Sequence, residues 1–307
     1  MGHINTVLGL FLMLMIGYGA KKLNILKEEN AGIINSIIIN ITLPAYVIAH
    51  ILGKELDVNM FATPVVLYVI TGLTVILSLL ICKILKLSDK LTYSIVLTAS
   101  FANTGFLGYP IVEALFKGND MAIPTAVIVD QIGMQLMLYI SAPIIAAFII
   151  KENKEEKITF RTLLGVFRSP VLSVSVLALI FHRIILPDCI MQTCNHLSGA
   201  TVPLVMIAIG LKIKPSETPK YVLPVIIVLI LKMIFQPILM HLGLSAFIND
   251  KYIIDIATIQ MGLSPAMITS ILIDRYKGDT HFACAAIFVC TLLTIISVPF
   301  TANILGI

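Results

Sequence analysis

Asn103-Thr104-Gly105-Phe106-Leu107-Gly108-Tyr109-Pro110 interrupts an apolar stretch with two glycines, a proline and polar side chains. Gln260-Met261-Gly262-Leu263-Ser264-Pro265 does the same at the matching place in the second half of the chain. In hydrocarbon, a backbone N–H or C=O freed by Gly or Pro is costly unless protein or a water-filled cavity receives it. Paired interruptions of this kind mark binding sites in membrane carriers, so a transported solute is expected to bind at these two segments.

The composition around them fits a membrane setting. Hydrophobic residues are 58% of the 307 and charged residues 12%, against roughly 25% charged in soluble domains, and the mean hydropathy is +1.01. An all-α integral membrane protein in contact with the lipid bilayer is expected. Ten apolar stretches, at about 4–20, 31–53, 60–82, 91–116, 121–150, 169–187, 192–211, 221–243, 252–273 and 282–306, are long enough to span ~30 Å of hydrocarbon at about 1.5 Å per residue.

The net charge of +4 needs no nucleic acid to explain it. Sixteen of the 21 basic residues fall in alternate loops, including Lys21, Lys22, Lys83, Lys86, Lys151, Lys157, Lys212, Lys220, Arg275 and Lys277. The other loops hold only Lys54, Lys117, Arg183 and Lys251, and Lys232 lies within a span. By the positive-inside rule the rich loops are cytoplasmic and both termini outside; a bacterial cytoplasmic membrane is the expected location. The first span is expected to stay in place, because Lys21 and Lys22 follow its apolar run where a signal peptide has its charges first. The five cysteines show no metal-ligand spacing, and no cofactor is expected.

The one long polar connection, 151–168, divides the spans five and five: a first repeat over 1–150, a cytoplasmic linker over 151–168 and a second repeat over 169–307. An odd number per half reverses the second half in the membrane, so similarity between halves means an inverted repeat. Thr42-Leu43-Pro44 in span 2 is matched by Thr201-Val202-Pro203 in span 7. From Pro44 to Pro110 is 66 residues, and from Pro203 to Pro265 is 62.

The segment from Asn103 to Pro110 resembles the N-T-G-x-x-G-x-P signature of the auxin efflux carrier family, whose bacterial members include organic-acid permeases. The Thr-x-Pro of span 2, Asp130-Gln131 in span 5, the ten-span layout and the length extend the resemblance over essentially the whole chain. It implies a fold shared with bile acid symporters and sodium/proton antiporters. In that fold a scaffold domain of spans 1, 2, 6 and 7 carries a transport domain of spans 3–5 and 8–10, with spans 4 and 9 crossing. A homodimer through the scaffold is the corresponding oligomer, and the implied substrate is a malate-like or auxin-like carboxylate.

Asn103 is the leading contact for such an anion, since its amide offers two donors and it precedes a half-helix whose first N–H groups lack intrahelical partners and carry partial positive charge. Thr104 lies beside it, and Gly105, Gly108 and Pro110 are expected to shape the break by unusual backbone angles or close approach. Gln260, Gly262, Ser264 and Pro265 hold the corresponding places in span 9. Asn40, Thr42 and Pro44, with Thr201 and Pro203, are candidate pocket-wall residues from the scaffold, although a hydroxyl near Pro equally serves to repair its own helix. Asp130, followed by Gln131, and Lys232 are the ionisable residues deepest in spans, which makes each a functional-site hypothesis. Three roles are open: a structural charge pair, a coupling proton on Asp130, or Lys232 in place of a coupling cation.

The expected function is therefore gradient- or potential-driven secondary transport of a small organic anion by an elevator-type mechanism, with a coupling proton as a candidate partner. The alternative is a cation/proton antiporter or sodium-coupled symporter on the same fold. An enzyme is not expected, because no Gly-x-Gly-Asp, Gly-x-Ser-x-Gly or metal-ligand pattern is present.

Overall fold

The computed structural model describes residues 2–150, 169–212 and 220–307, with side chains from residue 8 onward. Among these residues the helices are α1 (Gly2–Lys22), α2 (Asn30–Ile51), α3 (Val58–Ile84), α4 (Asp89–Ser100), α5 (Gly108–Leu115) and α6 (Ala122–Ile149). They continue with α7 (Pro170–Ile180), α8 (Asp188–Leu211), α9 (Val222–Ser245), α10 (Lys251–Met261), α11 (Met267–Arg275) and α12 (Thr280–Leu305). By length and composition α2, α3, α6, α8, α9 and α12 are long and apolar enough to cross a membrane. The expected spans 4 and 9 are each split at their interruption, into α4 and α5 and into α10 and α11. The 151–168 linker and its expected inside placement lie outside the described residues.

Helix starts follow their capping residues. Ser88, Asp250 and Asp279 accept from the backbone N–H of Leu91, Ile253 and Phe282, and so satisfy donors that have no intrahelical partner. Three long helices carry an internal π segment, at Ile38–Thr42 in α2, Ile128–Gln135 in α6 and Ile230–Phe235 in α9. Such segments are rare and concentrate at functional sites. Two of these three contain the deepest ionisable residues, Asp130 and Lys232.

Helix α1 packs along α8, and α2 packs on both α7 and α8. The α1–α8 contact runs through glycine, as close membrane helix pairs do: a Cβ on Gly210 would strike the carbonyl oxygen of Leu14, and one on Gly17 would strike the backbone of Ile207. A second group forms where α3 packs on α4, α6 and α9, and α9 on α10.

Alternate turns gather at opposite ends. At one end Lys54 pairs with Asp120 at 2.5 Å, and Gly53 donates its N–H to the carbonyl of His182 at 2.6 Å. The Lys54 hydrogen bond and charge hold the Asp120 carboxyl below its ordinary range. At the other end the Asp279 N–H donates to Ser94 Oγ at 2.8 Å, and Tyr221 donates to the Asp279 carboxylate.

Candidate functional site

The two interruptions meet. The N–H of Asn103 donates to the carbonyl of Ser264 at 2.8 Å, the N–H of Ala266 donates to that of Phe101 at 2.9 Å, and Ala102 and Pro265 form an antiparallel bridge. Unwound backbone that would be unpaired inside a membrane is thereby partly satisfied by the other unwound segment. Asn103 O then accepts from Leu107 and Gly108 as the chain turns into α5.

Neither Gly105 nor Gly108 is among the glycines with positive φ, so of the two expected roles the structure uses close approach. A Cβ on Gly105 would lie 2.9 Å from Asp130 Oδ2, and one on Gly108 would lie 2.9 Å from Gln260 Nε2. Asp130, fully buried in the π segment of α6, accepts from Thr104 Oγ1 at 2.5 Å, Tyr109 OH at 2.7 Å and Gln131 Nε2 at 2.6 Å. Gln260 reaches across from α10 and donates to the Thr104 carbonyl at 3.0 Å, tying the second interruption to the first.

Asn103 is 3% exposed, and its side-chain nitrogen has no hydrogen-bond partner. The backbone N–H groups of Thr104, Gly105 and Phe106 likewise meet no acceptor among the described residues. These residues line a cavity of about 60 Å³ together with Asp130, Gln131 and Gln135. No Lys or Arg is among the described residues that line it. The cavity thus collects unpaired donors from one interrupted segment beside a carboxylate already held by three donors.

Lys232 stands elsewhere. Its ammonium donates to Gln236 Oε1 and, at 2.9 Å, to the carbonyl of Met261, the last residue of α10. Gln236 Nε2 donates to the carbonyl of Ser100, the last residue of α4, at 3.0 Å and to Thr74 at 3.1 Å. The direct Asp130–Lys232 pair does not form, because each group is held by its own partners.

Other expectations divide. Ser264 accepts at its side chain from Thr291 at 3.1 Å, and Gly262 keeps negative φ beside Pro237. Asn40 is exposed and donates to Ser36 within its own helix, so it does not reach the crossing. Thr42 and Thr201 are buried with unpartnered hydroxyls; neither repairs its helix and neither lines the cavity, which α2 reaches through Ile39 and Leu43. Pro44 is buried and Pro203 half-buried, both outside that lining. Tyr139 lines the cavity as well. Tyr109 and Gln236 were missed as partners of the deep charges; Gln236 follows Lys232 by one turn, a spacing visible in the sequence.

Residues 3–302 match the family described as membrane transport protein. Similar proteins include an uncharacterized transporter of Methanocaldococcus jannaschii, 28% identical over 95% of this chain and 96% of its own. An uncharacterized transporter of Methanothermobacter thermautotrophicus is 26% identical over 99% of both chains. The uncharacterized transporter YfdV of Escherichia coli is 22% identical over 96% of this chain and 95% of its own.

Proposed function

The chain belongs to the membrane transport protein family, and from that premise we propose that it is a secondary carrier of a small organic anion, malate-like or auxin-like, bound where the two interrupted segments cross. The observation that carries this reading is the buried, unpartnered Asn103 amide nitrogen beside three unpaired backbone N–H groups in the turn that leads into α5. Unpaired donors in a turn just ahead of a helix N-terminus, where the helix dipole is positive, suit a carboxylate.

An elevator movement, in which spans 3–5 and 8–10 carry the site past spans 1, 2, 6 and 7, is supported by the packing of α1, α2, α7 and α8 on one another and of α3 on α4, α6 and α9. The antiparallel pairing of residues 101–103 with 264–266 supports an inverted repeat. Labelled malate and an auxin-like aromatic acid should accumulate in vesicles bearing the protein when a membrane potential is imposed. Failure of every small carboxylate to enter would sink the proposal.

A second reading, a cation/proton antiporter, is favoured by one observation: Asp130 lines the cavity and no basic side chain does among the described residues. Proton movement driven by a sodium or potassium gradient, with no carboxylate present, would select it.

A further inference from the structure

The ends of α4 and α10 come together at the crossing, and each ends in carbonyls that have lost their usual donors. In a continuous helix the Met261 carbonyl would accept from the N–H of residue 265, but residue 265 is proline and has none. Likewise the Ser100 carbonyl would accept from residue 104, and the chain has already turned away there. Both ends carry roughly half a negative charge from the helix dipole. One turn of α9 answers both: Lys232 donates to the Met261 carbonyl at 2.9 Å and to Gln236 Oε1, and Gln236 Nε2 donates to the Ser100 carbonyl at 3.0 Å. Lys232 and Gln236 are fully buried, and Lys232 has no carboxylate partner among the described residues.

We infer that the Lys232 ammonium is a tethered cation occupying what would otherwise be an alkali-cation site between the two half-helix ends. The oxygens that hold it, the Met261 carbonyl and Gln236 Oε1, are hard neutral donors of the kind a sodium or potassium ion takes at unwound backbone and half-helix C-terminal ends. Hydrated ions cannot compete with an ammonium built into the chain. The charge that a sodium-coupled carrier must load and release is therefore supplied by the chain itself, and substrate movement in this protein proceeds without an alkali-cation partner. This rests on the transporter reading and deepens it; the exclusion of sodium coupling comes from the α9 side chains and is independent of which solute binds beside Asn103.

Thermal unfolding of the purified protein in sodium, potassium or choline chloride at equal ionic strength tests it without any substrate, so its outcome is separate from that of the anion proposal. Wild-type protein should melt at the same temperature in all three. Lys232→Ala should melt lower in choline and recover saturably in sodium or potassium, by on the order of 3 °C. Lys232→Met, which fills the space with an uncharged chain, should stay low in all three. Lys232→Gln serves in place of Lys232→Ala if the latter does not fold. An alkali-cation-dependent melting temperature in the wild type, or a flat response in the alanine or glutamine variant, would overturn the inference.

Discussion

Asn103 and Asp130 sit within the same small cavity yet make opposite demands on substitution. The Asn103 side-chain nitrogen has no protein partner to lose, so Asn103→Ala should leave the melting temperature nearly unchanged. Loss of a hydrogen bond to a charged ligand, about 1.5–3 kcal/mol, should meanwhile weaken substrate binding roughly 10- to 100-fold. A variant that unfolds, or that binds substrate normally, would remove Asn103 from the site. Asp130 is held by Thr104, Tyr109 and Gln131, and Lys232 by Gln236 and Met261, with no partner in common. The stability costs of Asp130→Asn and Lys232→Met should therefore add to within about 0.5 kcal/mol, and recovery in the double variant would show that the two charges are coupled after all. The depth of both residues in apolar stretches made them legible in the sequence. Of their partners, Gln236 could be read from its one-turn spacing to Lys232, whereas Tyr109 and the Met261 carbonyl could not, because they come from other segments of the chain or from backbone exposed only by the breaks. Asn40 misled for a related reason: polarity near a proline does not say which face of α2 it occupies.

At the scale of the elements, some span positions read from hydropathy agree with the described helices to within a few residues, as at 60–82 against Val58–Ile84 and 221–243 against Val222–Ser245, whereas 169–187 meets a shorter helix, Pro170–Ile180, and 91–116 and 252–273 are each broken in two. The interruptions were legible because Gly and Pro remove donors or side chains in a way that the sequence displays. The π segments were not, since an extra residue in one turn leaves the hydropathy pattern intact. Close helix contacts are equally silent in sequence: nothing marks Gly210 as the point where α8 touches the backbone of α1. A Cβ there would meet the Leu14 carbonyl oxygen and not a yielding side chain, so Gly210→Ala should destabilise by about 1–3 kcal/mol, read as a lower melting temperature. An unchanged value would mean that α1 and α8 are free to separate. Tyr46 of α2 donates to Glu113 of α5 at 2.8 Å and stacks on Tyr109. Cysteines at positions 46 and 113, joined by a bifunctional thiol reagent long enough to replace the span of the Tyr46 and Glu113 side chains, should thus halt transport while leaving substrate binding intact. Transport at the normal rate by the cross-linked protein would exclude the elevator movement.

For the molecule as a whole, family membership and helical membrane architecture follow from features spread over the entire chain: apolar spans, alternating basic loops and the paired interruptions. The substrate depends on a handful of unpaired donors at one crossing, and the sequence could name Asn103 there but could not show that its amide nitrogen lacks a partner. Purified protein reconstituted into liposomes, with labelled malate and an auxin-like acid outside and an imposed potential positive inside, measures that directly. One of these anions should accumulate in response to the potential, in choline as well as in sodium medium, and Asn103→Ala should reduce the initial rate at low substrate concentration at least about 10-fold. Accumulation that requires sodium, or equal rates in wild type and Asn103→Ala, would contradict a cation-independent anion carrier with its site at the crossing.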